Sequence, residues 1–145
     1  MTVLSYLAAP LVHPIGLAMI ALGTFLGIYI GAIPGLSATM AISLLVSFTY
    51  GWSTETSLAI MVGIYCGVVY GGSRSAILLN IPGAPAAVAT ALDGYPLAKK
   101  GLAGKAIGVT TISSVIGGFV GVILLAILAP LISKIALKFA ARDYL

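Results

Sequence analysis

The stretch that decides the fold reads Ser75-Ala76-Ile77-Leu78-Leu79-Asn80-Ile81-Pro82-Gly83-Ala84-Pro85-Ala86-Ala87-Val88-Ala89-Thr90-Ala91-Leu92. Two short apolar arms, Ser75 to Ile81 and Ala84 to Leu92, are joined by Pro82-Gly83, with Pro85 just beyond. Neither arm can cross a bilayer alone, because a spanning helix needs about 20 apolar residues. A single helix through both would have to absorb Pro82, Gly83 and Pro85 within four positions. Each proline removes an N–H and its ring clashes with the preceding turn. The stretch therefore predicts a re-entrant hairpin over 75–92 that enters and leaves on one side. Unpaired backbone at membrane depth is tolerable only against protein or in a wet cavity.

Working outward, the neighbouring segments are also apolar and broken. Ile15 to Ile33 is uncharged and would be about 28 Å long as a helix, which matches a hydrocarbon core. Pro34-Gly35 stops it. Leu36 to Tyr50 follows without a polar loop and is too short to span comfortably. Gly51-Trp52-Ser53-Thr54-Glu55 reads as an interfacial turn, with Trp52 as anchor and a helix start at Ser53 or Thr54. Thr56 to Gly72 is the next span, ending at Gly71-Gly72-Ser73-Arg74. After a polar loop from Asp93 to Lys105, Ala106 to Pro130 is a further span. Lys134, Lys138 and Arg142 then recur every four residues, which predicts a basic interfacial helix over 131–142. The expected architecture is all-α and integral to the membrane: one transmembrane domain over 1–145, a polytopic helical bundle with broken helices and a re-entrant hairpin.

Composition agrees and removes other classes. Apolar residues make up 61% of the chain and charged residues 7%, where a soluble domain is about a quarter charged. No water-facing surface can be assembled, and the lack of a basic–aromatic pattern removes nucleic acid as a partner. Met1 to Pro14 carries no Lys or Arg, and Pro10 and Pro14 interrupt the apolar run, so the first span is read as the inserting element and no removable signal is expected. Cys66 is the single cysteine and His13 the single histidine; a disulfide, a thiolate metal cluster and a histidine-based dyad are not expected. Asp93 is the one carboxylate near the breaks, which is no acid–base pair, and Asp93-Gly94-Tyr95-Pro96 reads as a turn. An enzyme is not expected. Arg74, Lys99, Lys100 and Lys105 gather at the two ends of the hairpin, so that side is read as cytoplasmic.

Glycine spacing carries the packing. Gly23, Gly27, Gly31 and Gly35 recur every four residues, as do Gly63, Gly67 and Gly71, and Gly117 with Gly121 makes a third pair. Small residues at this spacing let helices approach closely, and a groove lined by bare backbone is the alternative. The first two stripes also resemble each other: Gly27-Ile28-Tyr29, Gly31, Gly35 and Ser37 align with Gly63-Ile64-Tyr65, Gly67, Gly71 and Ser73, six identities in eleven positions. Read as one design used twice, each helix would end in a glycine–serine break and a short apolar arm. Broken helices expose orphan N–H and C=O groups where transporters hold anions and coupling cations. Ser37, Thr39, Ser73, Ser75, Asn80 and Thr90 are the polar side chains beside those breaks, with bonding back to their own helix as the competing role.

These residues carry a family resemblance. Ile33-Pro34-Gly35-Leu36-Ser37-Ala38-Thr39, Tyr70-Gly71-Gly72-Ser73, Ile77-Leu78-Leu79-Asn80-Ile81-Pro82-Gly83 and Thr90-Ala91-Leu92-Asp93-Gly94-Tyr95-Pro96-Leu97-Ala98-Lys99-Lys100-Gly101 resemble the large permease subunit of the tripartite tricarboxylate transporter family. The resemblance implies a multi-pass secondary transporter of the bacterial inner membrane, driven by an ion gradient. Its partners would be a small membrane subunit and a periplasmic solute-binding protein that delivers carboxylates, tricarboxylates among them. No cofactor is implied beyond a coupling cation, sodium or a proton. The resemblance covers the opening portion of a longer permease, so the chain is expected to be a fragment. A non-transporting assembly protein or remnant, and an oligomeric channel built through the glycine faces, are the alternatives. On the transporter reading, Pro34, Gly35, Leu36, Ser37 and Thr39 at the first break, with Ser73, Asn80, Pro82 and Gly83 at the second, would present N–H groups and hydroxyls to an anionic carboxylate.

Overall fold

The computed structural model describes residues 14–136. His13 and the basic positions Lys138 and Arg142 lie outside them. Five α-helices follow in order: α1 (Pro14–Ala32), α2 (Ala38–Thr49), α3 (Thr54–Leu79), α4 (Val88–Lys99), preceded by the 3-10 turn Pro85–Ala87, and α5 (Ala103–Ala136). Three stretches are long and apolar enough to cross a membrane: Pro14–Ala32, Thr54–Leu79 and Ala103–Pro130. The chain is an all-α membrane protein. Its described residues fall into two compact units divided after Thr110. The second is the remainder of α5, exposed throughout from Ile112 to Pro130.

Local chemistry sets most boundaries. Ser37 caps α2 by accepting from Met40 N–H at 3.2 Å, and Ser53 caps α3 by accepting from Thr56 N–H at 3.4 Å. Each satisfies one of the donors a helix start leaves without a partner. At Pro34-Gly35 the chain turns through a glycine with φ 94°, a conformation that costs a residue bearing a Cβ roughly 1–2 kcal/mol. The end of α3 is made by Asn80, left-handed at φ 58°, whose N–H bonds to Ala76 carbonyl at 3.1 Å. Asn80→Gly should therefore leave stability about unchanged, and Asn80→Ala should cost about 1 kcal/mol. The midpoint of detergent-induced unfolding, followed by the fluorescence of Trp52, the single tryptophan, measures both.

The glycine stripes are the packing surface of the bundle. A Cβ added at Gly23, Gly27 or Gly31 would lie 2.4, 2.4 or 2.2 Å from the carbonyl oxygen of Ile60, Ile64 or Val68. Reciprocally, Gly63, Gly67 and Gly71 face the carbonyls of Ile20, Thr24 and Ile28 at 2.5, 2.4 and 2.3 Å. Contacts advance along both helices together, so α1 and α3 run parallel and touch backbone to backbone. Lipid tails provide no hydrophobic drive between helices, so this close approach is what holds them. The shorter α2 returns between them in sequence, placing Ala41 with Ile60, Ile64 and Val68 in one core. Its last turn meets the first turn of α3, where Ser57 Oγ donates to Thr49 carbonyl at 3.2 Å.

Four expectations are corrected here. First, α3 does not end at Gly71-Gly72-Ser73-Arg74 but continues to Leu79. Glycine in a helix costs only about 1 kcal/mol, and here both glycines are buried where backbone presses on them: Gly71 against Ile28, Gly72 against Ala84 N at 3.0 Å from an added Cβ. Second, the two stripes pack as equivalents in the register Gly23 with Gly63, Gly27 with Gly67 and Gly31 with Gly71. That is one helical turn away from the register of sequence identity. Since α1 ends before Gly35–Ser37 while α3 continues through Gly71–Ser73, the likeness is not a shared helix-then-break unit. Third, Asp93-Gly94-Tyr95-Pro96 is helical within α4. Gly94 is buried against Ile77, and Pro96 lies so near the helix end that one lost backbone bond is its main cost. The polar loop from Asp93 shrinks to the turn Lys100–Leu102. It is closed by Gly101 N–H to Ala98 carbonyl at 2.9 Å and Leu102 N–H to Leu97 carbonyl at 3.0 Å, with Gly101 at φ 77°. Pro130 likewise lies inside α5, which stays helical to Ala136 where a separate interfacial helix was expected from 131.

Candidate functional site

The site is built by the segment Asn80–Ala84. Released from α3 by the Asn80 cap, it folds back beside the helix it has just left, and Gly83 N–H reaches Gly72 carbonyl at 3.4 Å. Seven helical positions separate Gly72 from Leu79, so the return runs about 10 Å along α3. Gly83 is wedged there: an added Cβ would lie 2.1 Å from Gly31 carbonyl oxygen, 2.8 Å from Gly72 Cα and 2.9 Å from Ser75 Oγ. Ser75, buried, donates to Gly72 carbonyl at 3.0 Å. From this junction Pro85 opens the 3-10 turn and α4 leads away, its Ala87 and Ala91 packing on Ala76 of α3. The chain turns back at Pro82-Gly83, but the arms differ from those expected: Ser75 to Leu79, read as the incoming arm, belong to α3, and the short segment from Asn80 leads into the turn.

Because Gly83 rests on Gly31, the second break comes to lie beside the first. Gly35 and Ser37 from one, with Pro82, Gly83, Ala84, Pro85 and Val88 from the other, line a single open cavity of about 450 Å³. Two helix starts converge on it. Met40 N–H is taken by the Ser37 cap, which leaves the N–H groups of Ala38 and Thr39 among those without an intrahelical partner. At the start of the 3-10 turn Pro85 has no N–H, and the N–H groups of Ala87 and Val88 bond to the Ala84 and Pro85 carbonyls, which leaves Ala86 as the remaining donor of the turn. The starts of α2 and α4 each place a residue on the cavity, Ser37 and Val88, and a helix start favours negative charge.

The sequence-predicted residues divide accordingly. Gly35, Ser37, Pro82 and Gly83 line the cavity. Pro34, Leu36 and Thr39 belong to the same break or the first turn of α2 without lining it. Ser73 Oγ donates to Val69 carbonyl at 3.1 Å, bonding back to its own helix. Asn80 is exposed and serves the turn. Sequence reading missed Ala84, Pro85 and Val88, although a proline in the first helical position is a signal of a helix start. Thr90 lines a different crevice of about 510 Å³ between α4 and the start of α5, with Asp93 and Lys105. Among the described residues no group of three or more His, Cys, Asp or Glu side chains is placed to hold a metal ion.

A membrane-embedded bundle with helices interrupted beside a shared cavity defines the class. The model of the family described as Tripartite tricarboxylate transporter TctA family matches residues 17–145, and the chain belongs to that family. A protein of Agrobacterium vitis described as "Uncharacterized 52.8 kDa protein in TAR-I ttuC' 3'region" is 42% identical over 131 residues, covering 90% of this chain and 26% of that protein. The chain thus spans about a quarter of the length of that relative. No solved structure matches it.

Proposed function

We propose that this chain contributes a carboxylate-binding half-site to a binding-protein-dependent permease of the bacterial inner membrane. In this reading a periplasmic solute-binding protein delivers a tricarboxylate or related carboxylate, and a small membrane subunit completes the transporter. An ion gradient, of sodium or protons, drives uptake. The observation that carries the reading is the convergence of the two broken segments on one cavity, at two helix starts. A carboxylate there would take N–H donors from the first turn of α2 and from Ala86 beside the Ser37 hydroxyl, against the apolar walls of Pro82, Ala84, Pro85 and Val88. Family membership supports the substrate class. The face carrying Lys99, Lys100 and Lys105 is the cytoplasmic one in this proposal.

Val88 offers the test, since it lines the cavity yet is exposed and its replacement leaves the Gly31–Gly72–Gly83 junction untouched. Val88→Asp introduces a negative charge at the mouth. The purified chain in lipid nanodiscs should retain radiolabelled citrate, and Val88→Asp should weaken that retention at least about tenfold, the equivalent of 1.4 kcal/mol. Equal retention by the variant, with helicity unchanged, would remove the cavity as the site.

A further inference from the structure

Arg74 sits five residues before the end of α3 at Leu79, inside a stretch apolar enough to span a membrane. Arginines near a span end ordinarily extend toward the water. Arg74 points the other way. Its guanidinium lies over the ring of Tyr70, with Cζ 4.0 Å from the ring centroid, and donates to the Tyr70 hydroxyl one turn back toward the helix middle. Among the described residues no carboxylate lies within ion-pair distance of it. Glu55 is in the first turn of the same helix, and Asp93 lines a separate crevice. Arg74 is the one charged group on a crevice of about 370 Å³ whose other walls are Ile28, Tyr29, Ala32, Ser75, Leu78 and Leu79.

Arg74 is half-buried, and a charged side chain within a membrane span that has no counter-charge marks a place where a partner of opposite sign arrives. Stacking on Tyr70 fixes the plane of the guanidinium and occupies one donor. The remaining donors form a fork whose geometry matches a carboxylate. We propose that Arg74 binds a carboxylate group of the solute in this crevice, as an anion subsite distinct from the cavity at Gly35 and Gly83. The two lie on either side of the glycine junction: Ser75, which lines the crevice, packs against Gly83, which lines the cavity. The identity of the solute rests on the transport reading above.

Phenylglyoxal labelling of the purified chain in nanodiscs, read residue by residue by mass spectrometry, tests this with Arg142, the other arginine, as internal control. Citrate should slow labelling of Arg74 at least fivefold and leave Arg142 unchanged, and Arg74→Lys should weaken citrate retention while preserving helicity. Labelling of Arg74 that citrate does not slow, in a chain that still retains radiolabelled citrate, overturns the subsite and leaves the carboxylate-binding reading standing. No retention of citrate at all overturns both. An Arg74 already inert before citrate is added also overturns it, because a protein carboxylate would then hold the guanidinium.

Discussion

Gly67→Ala is expected to destabilise the bundle by about 3 kcal/mol, at the upper end of what an inserted methyl group usually costs in a packed interior. The added carbon would lie 2.4 Å from Thr24 carbonyl oxygen, 2.9 Å from Gly27 Cα and 2.9 Å from Ile28 N. All three are backbone atoms of α1, so no rotamer change relieves the clash. The helices must separate by roughly 1 Å to restore ordinary contact, and that loosens the reciprocal contacts of Gly23, Gly63, Gly31 and Gly71 along the same seam. Dispersion between closely approaching backbones is the main attraction available inside a bilayer, so the loss is not recovered by hydrophobic burial elsewhere. The control is Gly118→Ala on α5, where an added Cβ meets nothing within 4 Å. It should be neutral, or stabilising by up to about 1 kcal/mol through helix propensity. Unfolding midpoints of the two variants, measured side by side, check the difference. Equal midpoints would mean that α1 and α3 are not packed backbone on backbone.

Gly83→Ala is expected to abolish carboxylate binding, lowering citrate retention more than tenfold. Its methyl group would meet Gly31 carbonyl oxygen at 2.1 Å, with Gly72 Cα and Ser75 Oγ behind it. Ser75 is the one mobile group of the three, and it is buried and bonded to Gly72 carbonyl. The segment Asn80–Ala84 must then lift from the junction, which carries Pro82, Gly83 and Ala84 away from Gly35 and Ser37 and opens the cavity. Gly35→Ala separates this effect from simple strain. It lines the same cavity and has open space around it, but its φ of 94° costs a substituted residue roughly 1–2 kcal/mol. Gly35→Ala should therefore lose stability with a smaller loss of binding, and Gly83→Ala should lose binding first. Citrate retention by Gly83→Ala equal to that of the unaltered chain would show that the return segment does not seat the site.

Membrane residence was fixed by composition, since so few charges cannot clothe a soluble surface. The breaks at Pro34-Gly35 and Pro82-Gly83 were legible because proline and glycine, both costly inside a helix, fall together there; Pro96 and Pro130, with no glycine following, stay helical. Ser53 announced its helix start because capping is a bond between near neighbours in sequence; Ser37, read as a polar group beside the break, proves to cap α2 in the same way. Where the determinant was glycine, sequence was not enough. A glycine's local cost is about 1 kcal/mol, similar to what close packing returns, so Gly71-Gly72 reads equally as a break or as a contact surface. Only the position of α1 and of Ala84 against it decides for the surface. The packing register, one turn from the register of identity, depends on where two helices cross, which no single helix encodes. Gly94 and Pro96 are helical because Ile77 lies beneath Gly94. The meeting of the two breaks rests on three glycines far apart in the chain, Gly31, Gly72 and Gly83. Each alone is an ordinary small residue, and together they let three backbone segments come close enough to bring Gly35 and Ser37 to Pro82 and Gly83.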